Sequence, residues 1–252
     1  MELPPDASFR DTTAVFRAVE GGWKTVNGYS GWQPNYYFAL VGAAHDESNG
    51  VFTPFQRMGE LRVLVETDLE RLQSLVQKQP GATLVAQNAT LTQYRLPALK
   101  MEDAQVAGLR IPIRDLHSDC SSQYVRVTID RDEQTLWQCA LTDDRQPLIV
   151  DLGASTPVGA IVHSVGTQFW LYPSSMSIDT SVDGTTWTPA RSGSVLHDVM
   201  VAGLRDPGLL RIVVAFPQRQ ARYLRLRGVP GESRFPWTIA ELEVWSEGRG
   251  IH

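Results

Sequence analysis

Apolar and polar residues alternate along several short stretches in the second half of the chain. The clearest stretch is 175–182, and its two sides differ in character. One side carries Met176, Ile178, Thr180 and Val182, and the other carries Ser175, Ser177, Asp179 and Ser181. A period of two is typical of a strand with one buried and one solvated face. Asp183-Gly184 then offers the positive φ values of a two-residue hairpin turn, and 185–187 begins the return strand. The pattern predicts an antiparallel sheet.

Four more strand-like runs lie around this hairpin, separated by Pro, Gly and Ser. They are 147–153, 209–216, 221–227 and 238–245. Several short strands with such punctuation favour a β-sandwich. We expect its core to contain Leu152, Ile161, Ile178, Ile212, Val214, Leu224, Leu226, Leu242 and Val244.

The first hundred residues show a different pattern, in which helices and strands alternate. The spacing of apolar residues predicts helices at 11–19, 34–41, 52–58 and 69–78, and strands at 61–65, 83–86 and 91–96. Asp11 is the expected N-cap of the first helix, and Thr67 or Asp68 that of the last. The final two strands form a hairpin that turns at Asn88.

A change in composition separates these two parts. Every lysine lies at or before Lys100, and only arginine follows. We therefore predict a two-domain α+β chain. It has a small α/β domain at 1–100, a linker at 101–110, an antiparallel β-sandwich at 111–247 and a tail at 248–252.

Composition limits the classes of partner. Of the 252 residues, 42% are hydrophobic and 20% are charged, as in folded soluble proteins. The net charge of -5 favours neither nucleic acid nor an anionic membrane as partner. No apolar run reaches the roughly 20 residues that span a bilayer, so we expect no membrane span. The first residues lack the basic start and apolar stretch of a signal peptide.

The sequence shows no catalytic arrangement. Three histidines lack metal-ligand spacing with each other or with the cysteines, and no serine lies in a Gly-x-Ser-x-Gly turn; these histidines are His117, His163 and His197. Two acid pairs could act as glycosidase carboxylates, but we interpret both as solvated turn residues. They are Asp143 with Asp144 and Asp179 with Asp183. We expect a protein that is not an enzyme.

Two cysteines flank one strand-turn region. Cys120 comes just before the stretch that leads to Asp130, and Cys139 comes just after Trp137. The chain thus leaves and returns to one end of the sandwich with a cysteine on each side. We predict a Cys120–Cys139 disulfide, which would stabilise the fold by roughly 3 kcal/mol and imply an oxidising compartment.

Five segments, taken in order, carry a family resemblance. They are 129–137, 150–153, 172–187 with its Tyr-Pro and Asp-Gly pairs, 221–226 and 237–242. Together they resemble the coagulation factor V/VIII type C family, which is discoidin-like and galactose-binding-like and includes relatives of many bacterial carbohydrate-binding modules. The resemblance implies an eight-stranded jelly-roll that binds its ligand through loops at one end, usually without catalytic activity.

The resemblance also implies candidate metal ligands. Asp130, Asp132, Thr135 and Glu241 match positions that hold calcium in many carbohydrate-binding relatives. Carboxylates, a hydroxyl and backbone carbonyls are the hard oxygen ligands that calcium prefers. Alternatively, the two aspartates bond to the backbone of their own turn and Glu241 pairs with an arginine. The family usually has glycine at the position of Arg131, and a cation there disfavours a metal.

For the ligand itself we expect aromatic and arginine side chains on the loops. Aromatic faces stack on sugar rings, and guanidinium groups donate to their hydroxyls. The candidates are Trp170 and Tyr172 in the 168–173 loop, Arg234 and Phe235 in the 232–236 loop, and Arg145. Trp137 and Trp187 match the family's framework and are expected to pack in the core.

The N-terminal part carries a separate resemblance. The segment 26–34, with Asn27-Gly28-Tyr29-Ser30-Gly31 at its centre, and the pair Tyr36-Tyr37 are similar to the extracytoplasmic C-terminal region of bacterial multi-spanning glycosyltransferases. The membrane helices and the acidic catalytic loop of those proteins are missing here, so transferase activity is not implied. A ligand site around 27–31 and a packed glycine-rich turn are both open interpretations.

Three functions remain as hypotheses. The first is non-catalytic binding of a glycan or glycoconjugate in the cell envelope, periplasmic or extracellular, although no signal peptide is visible. The second is an accessory portion, severed from a membrane glycosyltransferase, that acts with a membrane-embedded partner. The third is a structural or protein-binding discoidin domain.

Overall fold

A computed structural model of the chain describes residues 1–3, 5, 9–27, 35–46, 48–100, 104–139, 147–168, 170–206, 208–229 and 237–249. At residues 9–12, 49 and 122 it describes the backbone alone. The chain divides into two compact units, Met1–Met101 and Glu102–His252. In the described part, no helix is long and apolar enough to cross a membrane.

The first unit contains a four-stranded sheet. Its strands are β1 (Glu2–Leu3), β2 (Leu61–Glu66), β3 (Thr83–Gln87) and β4 (Leu91–Leu96). Their order is β1-β2-β4-β3, with β1 parallel to β2 and the other pairs antiparallel. The predicted strands and hairpin are confirmed, and the hairpin turn depends on Asn88. Its side-chain oxygen accepts hydrogen bonds from the backbone N–H groups of Thr90 and Leu91, each at 2.8 Å.

The described residues of this unit also form four helices and a short 3-10 helix at Asn49–Val51. They are α1 (Phe9–Gly21), α2 (Tyr37–His45), α3 (Thr53–Gln56) and α4 (Glu70–Gln77). All four were expected, but α2 begins three residues later than predicted. The predicted capping of α4 is wrong, since its N-cap is Leu69 and no side chain caps it. The Thr67 hydroxyl instead donates to the carbonyl of Asn88 at 3.1 Å.

Asn27 has a structural role in this unit. Its side-chain oxygen accepts from the N–H of Glu2 at 2.7 Å, and its side-chain nitrogen donates to the carbonyl of Glu2 at 2.9 Å. These two bonds satisfy the outer backbone edge of β1 at Glu2. The rest of the predicted 27–31 segment lies outside the described residues.

The second unit is a β-sandwich of antiparallel strands, and its described residues include one α-helix. Its strands are β5 (Gln105–Ile111), β6 (Asp115–His117), β7 (Trp137–Cys139), β8 (Leu148–Ser164), β9 (Ser175–Ser181), β10 (Thr188–Ser194), β11 (Arg211–Val229), β12 (Trp237–Ile239) and β13 (Glu241–Arg249). The helix is α5 (Leu196–Arg205), and a 3-10 helix spans Ser122–Ile129. Since β5 pairs with β13, the predicted linker at 101–110 is wrong from Gln105 onwards. The predicted tail is likewise too long, because β13 continues to Arg249.

Two long strands, β8 and β11, connect the layers of the sandwich. They pair along 148–151 with 223–226, and again along 160–164 with 211–215. Register shifts interrupt the ladder between these stretches. The first stretch lies in a layer ordered β10-β9-β11-β8-β6, and the second in a layer ordered β11-β8-β13-β5. Bulges of this kind let a strand bend from one sheet into the other.

The predicted register of the sandwich is confirmed. All nine predicted core residues are buried, Leu224 and Leu226 completely so. Their neighbours Tyr223 and Arg225 are partly exposed. Val182 is an exception, because 56% of it is exposed. It lies beyond the end of β9, where the alternation no longer applies.

The hairpin between β9 and β10 is antiparallel, as predicted, but its turn is longer. Thr180 pairs with Thr188, so residues 182–187 form the connection. Only Gly184 of the predicted turn pair has a positive φ, 76°. The carboxylate of Asp183 accepts from the N–H groups of Thr185 and Thr186, each at 2.8 Å, and thereby holds these residues out of the ladder. These bonds also keep the pKa of Asp183 low.

We expect Ile178→Ala to lower the free energy of unfolding by about 2–5 kcal/mol, because it leaves a cavity at a fully buried position of β9. Val182→Ala is the matched control from the same hairpin. It should change stability by less than about 0.5 kcal/mol, since most of its side chain is in water. Urea unfolding followed by tryptophan fluorescence measures both. Equal effects of the two substitutions would contradict the register.

Candidate ligand-binding end of the sandwich

Three predicted binding loops begin or end at the same place. β7 ends at Cys139 and β12 begins at Trp237, and these two residues pair with each other. The segments 140–146 and 230–236 therefore both adjoin this pair. Leu171 belongs to the third loop, and its carbonyl accepts a hydrogen bond from the N–H of Thr238 at 3.1 Å. The flanks of all three loops meet at one end of the sandwich.

The pairing of the long strands supports the same arrangement. Val229, the last residue of β11, pairs with Ser175, the first residue of β9. Leu148, the first residue of β8, pairs with Leu226 near the same end of β11. Three of the predicted contact residues lie outside the described residues, namely Arg145, Arg234 and Phe235. Their roles stay predictions.

The two described candidates differ in their exposure. Trp170 is 38% exposed and presents part of its indole to solvent. Tyr172 is only 8% exposed, so the expectation that it is exposed is wrong. Burial raises the pKa of its phenol well above the ordinary value. Tyr172 is thus a buried residue, whereas Trp170 is accessible to a ligand.

Beneath the loops lies a buried aromatic pair. Trp137 and Trp237 contact each other edge to face, with ring centroids 5.5 Å apart. The indole nitrogen of Trp137 donates to the carbonyl of Cys120 at 3.1 Å. Trp237 packs so closely on Gly228 that a Cβ there would lie 3.0 Å from the indole. The prediction that Trp137 packs in the core is confirmed.

The disulfide predicted from the sequence is present at this end. Cys120 and Cys139 are bonded, with their Cα atoms 5.6 Å apart. Because Cys139 pairs with Trp237, the bond connects the segment before the Ser122–Ile129 helix to the base of two loops. It therefore fixes the base of these loops, a platform that consists of Trp137, Cys139 and Trp237.

His163 lies next to this platform and is fully buried. The carbonyl of Thr238 accepts a hydrogen bond from its Nε2 at 2.7 Å, and its ring meets that of Trp237 at a centroid distance of 6.1 Å. Its Nδ1 has no hydrogen-bond partner among the described residues. Burial lowers the pKa of His163 to about 4, against a smaller opposing effect of the hydrogen bond to Thr238. It is a core residue in the neutral form.

The predicted metal loop is closed by its own hydrogen bonds. Asp130 accepts from the N–H of Asp132 and from the hydroxyl of Thr135, each at 2.9 Å. Asp132 accepts from the N–H of Gln134 at 2.9 Å. Glu241 accepts from the N–H of Arg131, so the strand and the loop do meet. Arg131 has a φ of 69°, a conformation that favours glycine.

The carboxylates of this loop are engaged in hydrogen bonds within the loop. In the described residues, no three His, Cys, Asp or Glu side chains are arranged to hold a metal ion. The pKa of Glu241 is raised, chiefly by burial and further by the nearby carboxylates of Asp130 and Glu133. Calcium stays a prediction, and the hydrogen bonds correspond to the alternative interpretation as a turn.

An ion-pair network near Glu241 was missed from the sequence. Arg211 donates to Glu243 at 2.6 Å and lies 3.4 Å from Glu133. Arg110 lies 3.5 Å from Glu243. Burial acts to raise the pKa of Glu243, but the hydrogen bonds from Trp245 and Arg211 and the charges of Arg211 and Arg110 together lower it. These residues come from β5, β11, β13 and the 130–135 loop, and nothing local in the sequence indicates their proximity.

A second set of ion pairs lies on the outer face of the layer that contains β9. Asp179 is 8% exposed and bonds to Arg225 and Arg227, so its interpretation as a solvated turn acid is wrong. Trp187 is only partly buried, which corrects the expectation of core packing. The guanidinium of Arg225 lies 4.4 Å from the centre of its ring. The predicted role of Asp183 as a turn acid is confirmed.

Three further residues considered as candidates are His117, Asp143 and Asp144. His117 is exposed and lies 3.3 Å from Asp119. Asp143 and Asp144 lie outside the described residues.

We expect reduction of the disulfide to lower the free energy of unfolding by roughly 3 kcal/mol, since the bond closes a loop of 19 residues. Urea unfolding with and without dithiothreitol measures the change. The double variant Cys120→Ser, Cys139→Ser should match the reduced protein and should not respond to dithiothreitol. A wild type that is equally stable in both conditions would contradict a role in stability.

His163 should make stability depend on pH. Its pKa is about 4 in the folded protein against 6.5 when unfolded, so only the unfolded state gains a proton between these values. Its contribution is therefore fully present above pH 6.5 and falls by about 3 kcal/mol as pH drops to 4. His163→Gln, whose amide can still donate to Thr238, should flatten the stability profile in this window. Parallel profiles for wild type and His163→Gln would refute the assignment.

Comparison with known proteins gives one family and a set of similar structures. Solved structures that resemble the chain include the CBM32 module of AlyQ in complex with 4,5-unsaturated mannuronic acid, at 21% identity over 55% of this chain and 98% of that one, with a TM-score of 0.43. Another is chitosan-binding module 1 from a chitosanase/glucanase of Paenibacillus sp. IK-5, at 23% identity over 55% and 99%, with a TM-score of 0.40.

A third is a CBM32 module of Clostridium perfringens in complex with GalNAc-beta-1,3-galactose, at 15% identity over 54% and 99%, with a TM-score of 0.39. No curated protein matches the chain. No comparison supports the resemblance of the N-terminal part to glycosyltransferases. The F5/8 type C domain model, in contrast, matches residues 114–242. This match covers just over half of the sequence, and the chain belongs to the F5/8 type C domain family.

Proposed function

We propose that the sandwich binds a glycan, without catalysing a reaction on it, through the loops at the end near Trp237. The convergence of the flanks of three loops at this end carries the proposal, since two of these loops contain aromatic residues and two contain arginine. Members of this family with a carbohydrate ligand use loops at one end of the sandwich. Among the described residues here, Trp170 is the aromatic side chain that reaches solvent from these loops.

The platform below the loops supports a preformed site. Trp137 and Trp237 are buried against each other, and the disulfide fixes Cys139 beside Trp237. A rigid base reduces the conformational entropy that binding would otherwise remove. Such a site favours recognition of a sugar by stacking on Trp170 and by hydrogen bonds from loop side chains.

The affinity of such a site should be weak. A shallow surface contacts one or two sugar units and buries little area, which corresponds to dissociation constants on the order of 0.1–1 mM. Stronger attachment would need several copies acting together. The protein would then serve to localise a partner or a surface and not to retain a single soluble sugar.

The cell envelope or the extracellular space is the proposed location. The disulfide supports an oxidising compartment, where such bonds persist. The first unit would connect the sandwich to a second component, for which a membrane-embedded partner is one proposal. The proposed binding reaction does not depend on calcium, which stays a separate prediction for the loop at 130–135.

We expect Trp170→Ala to weaken glycan binding about tenfold, because truncation of an aromatic anchor commonly costs 1–2 kcal/mol. Trp23→Ala is the matched control, since Trp23 is 55% exposed and belongs to the first unit. A glycan array on the full chain identifies the ligand, and an NMR titration then compares the variants. Phe235→Ala tests the neighbouring loop in the same way.

Three outcomes separate the hypotheses. Loss of binding in Trp170→Ala but not in Trp23→Ala supports the proposed site. Glycan binding that neither Trp170→Ala nor Phe235→Ala affects would place the site elsewhere. A full array without any bound glycan would contradict the proposal and favour a structural or protein-binding domain.

A further inference from the structure

Two arginines on β11 share a single carboxylate. Arg225 and Arg227 are two residues apart and therefore point to the same face of the sheet. Asp179 lies opposite Arg225 on the neighbouring strand β9. Its Oδ2 accepts hydrogen bonds from Nε of Arg225 and Nη1 of Arg227, each at 2.9 Å, and lies 2.8 Å from Nη2 of Arg225. Both guanidinium groups are thus held beside one oxygen atom.

This arrangement leaves one positive charge without a partner. A guanidinium is always protonated at physiological pH, so the pair carries two charges against one carboxylate. In the described part of the chain, no second carboxylate forms a salt bridge with Arg225 or Arg227. The neighbouring ion pair between β11 and β8, Arg222 with Asp151, joins one arginine to one carboxylate. The shared site differs from that pair because it carries an excess positive charge.

The pair is both fixed and accessible. The side chains of Arg225 and Arg227 are 24% and 30% exposed. The guanidinium of Arg225 rests on the ring of Trp187, 4.4 Å from its centre. Two of the ten N–H bonds of the two groups donate to Asp179, and the rest include donors that can reach solvent. Donors that are already oriented lose little entropy when they bind an anion.

A carboxylate suits these donors. Guanidinium groups bind carboxylates with two parallel N–H···O bonds, which are stronger than bonds between neutral groups. A dense polyanion such as nucleic acid is disfavoured, because the chain has a net charge of -5. A sugar acid presents isolated charges on a polar ring, and hydroxyl-bearing residues such as Ser177, opposite Arg227, adjoin the pair.

The position of the pair also suits a chain of sugars. β11 rises roughly 3.3 Å per residue, so Arg227 lies about 7 Å and Arg225 about 13 Å before Val229. Val229 is followed directly by the segment 230–236 at the proposed binding end. A short oligosaccharide bound at that end could therefore continue along the outer face to the arginines.

We propose that Arg225 and Arg227, held together by Asp179, form an anion-binding subsite for the carboxylate of an acidic sugar residue. The proposal rests on the proposed glycan binding and specifies its ligand class as oligosaccharides that contain uronic acids. The subsite lies on the outer face of the sheet and is distinct from the contact at Trp170.

The test compares a trisaccharide of galacturonic acid with its methyl ester, which keeps the sugar and removes the charge. The variant is Asp179→Asn, Arg225→Gln, Arg227→Gln in the full chain, so that no buried charge is left unpaired. Its binding of the acid, measured by NMR titration, should be at least about tenfold weaker, since hydrogen bonds to charged groups are lost. Wild-type binding of the acid should weaken as salt increases, and binding of the ester should not.

A control with the same charges exists in the first unit. There Arg62 and Arg95 share Glu60, at 3.2 and 4.0 Å. Glu60→Gln, Arg62→Gln, Arg95→Gln changes the net charge identically and should leave binding of the acid intact. The single variant Arg227→Gln keeps the contacts of Arg225 with Asp179 and Trp187, and it should weaken binding of the acid several-fold. It replaces the triple variant if that variant fails to fold.

The outcomes distinguish the two proposals. The subsite is supported if wild type binds the acid more tightly than the ester. This preference must be lost in the variants of Arg225 and Arg227 and kept in the control variant of the first unit. Equal binding of acid and ester, or a preference for the acid that these variants retain, overturns it while glycan binding stands. Binding of no saccharide by wild type refutes the proposed function and the subsite with it. Variants of Arg225 and Arg227 that are less stable but bind the acid as tightly as wild type would assign the pair a purely structural role and contradict the proposal.

Discussion

The double pairing of β8 with β11 is the interaction on which the rest of the sandwich depends. Each of the two strands contributes one stretch to each layer. The two layers therefore share these strands and are not independent sheets. β6 and β13 attach to β8, and β9 attaches to β11. The register shifts at 215–219 and 221–223 make this possible, because they bend the strands without ending them. A ladder without those bulges would extend one flat sheet and leave its apolar face uncovered.

The binding end follows from this geometry. Because β8 begins, β9 begins and β11 ends in the same part of one layer, the connections that leave these strands must emerge together. Trp237 then fills the space between the layers, against Gly228 on one side and His163 on the other. The loops above can therefore vary in sequence while their bases stay fixed by backbone pairing and by apolar burial.

The sequence predicted the features that follow from the alternation of apolar and polar residues. It did not predict contacts between residues that are distant in the chain. Leu224 and Leu226 could be placed inside because alternation alone decides which face is apolar. The ion pairs of Asp179 could not be predicted, since its two partners lie more than forty residues away on another strand. The turn after β9 was predicted too short because the side-chain bonds of Asp183 compete with the ladder. The helix α5 was missed because its ten residues are mostly buried and apolar and lack a side-chain N-cap.

Because of the disulfide, the state of a purified sample depends on whether the protein was produced in a reducing or an oxidising compartment. None of the long strands contains a cysteine, so the sheets can form in a reducing cytosol as well as outside it. The base of the loops is different, because Cys139 stands next to Trp237 and its bond to Cys120 joins two segments that backbone pairing does not. Protein from a reducing host could therefore show native secondary structure by circular dichroism and still have a loosened ligand surface. For this chain, spectroscopic evidence of folding and competence to bind are separate properties, and the oxidation state of one bond separates them.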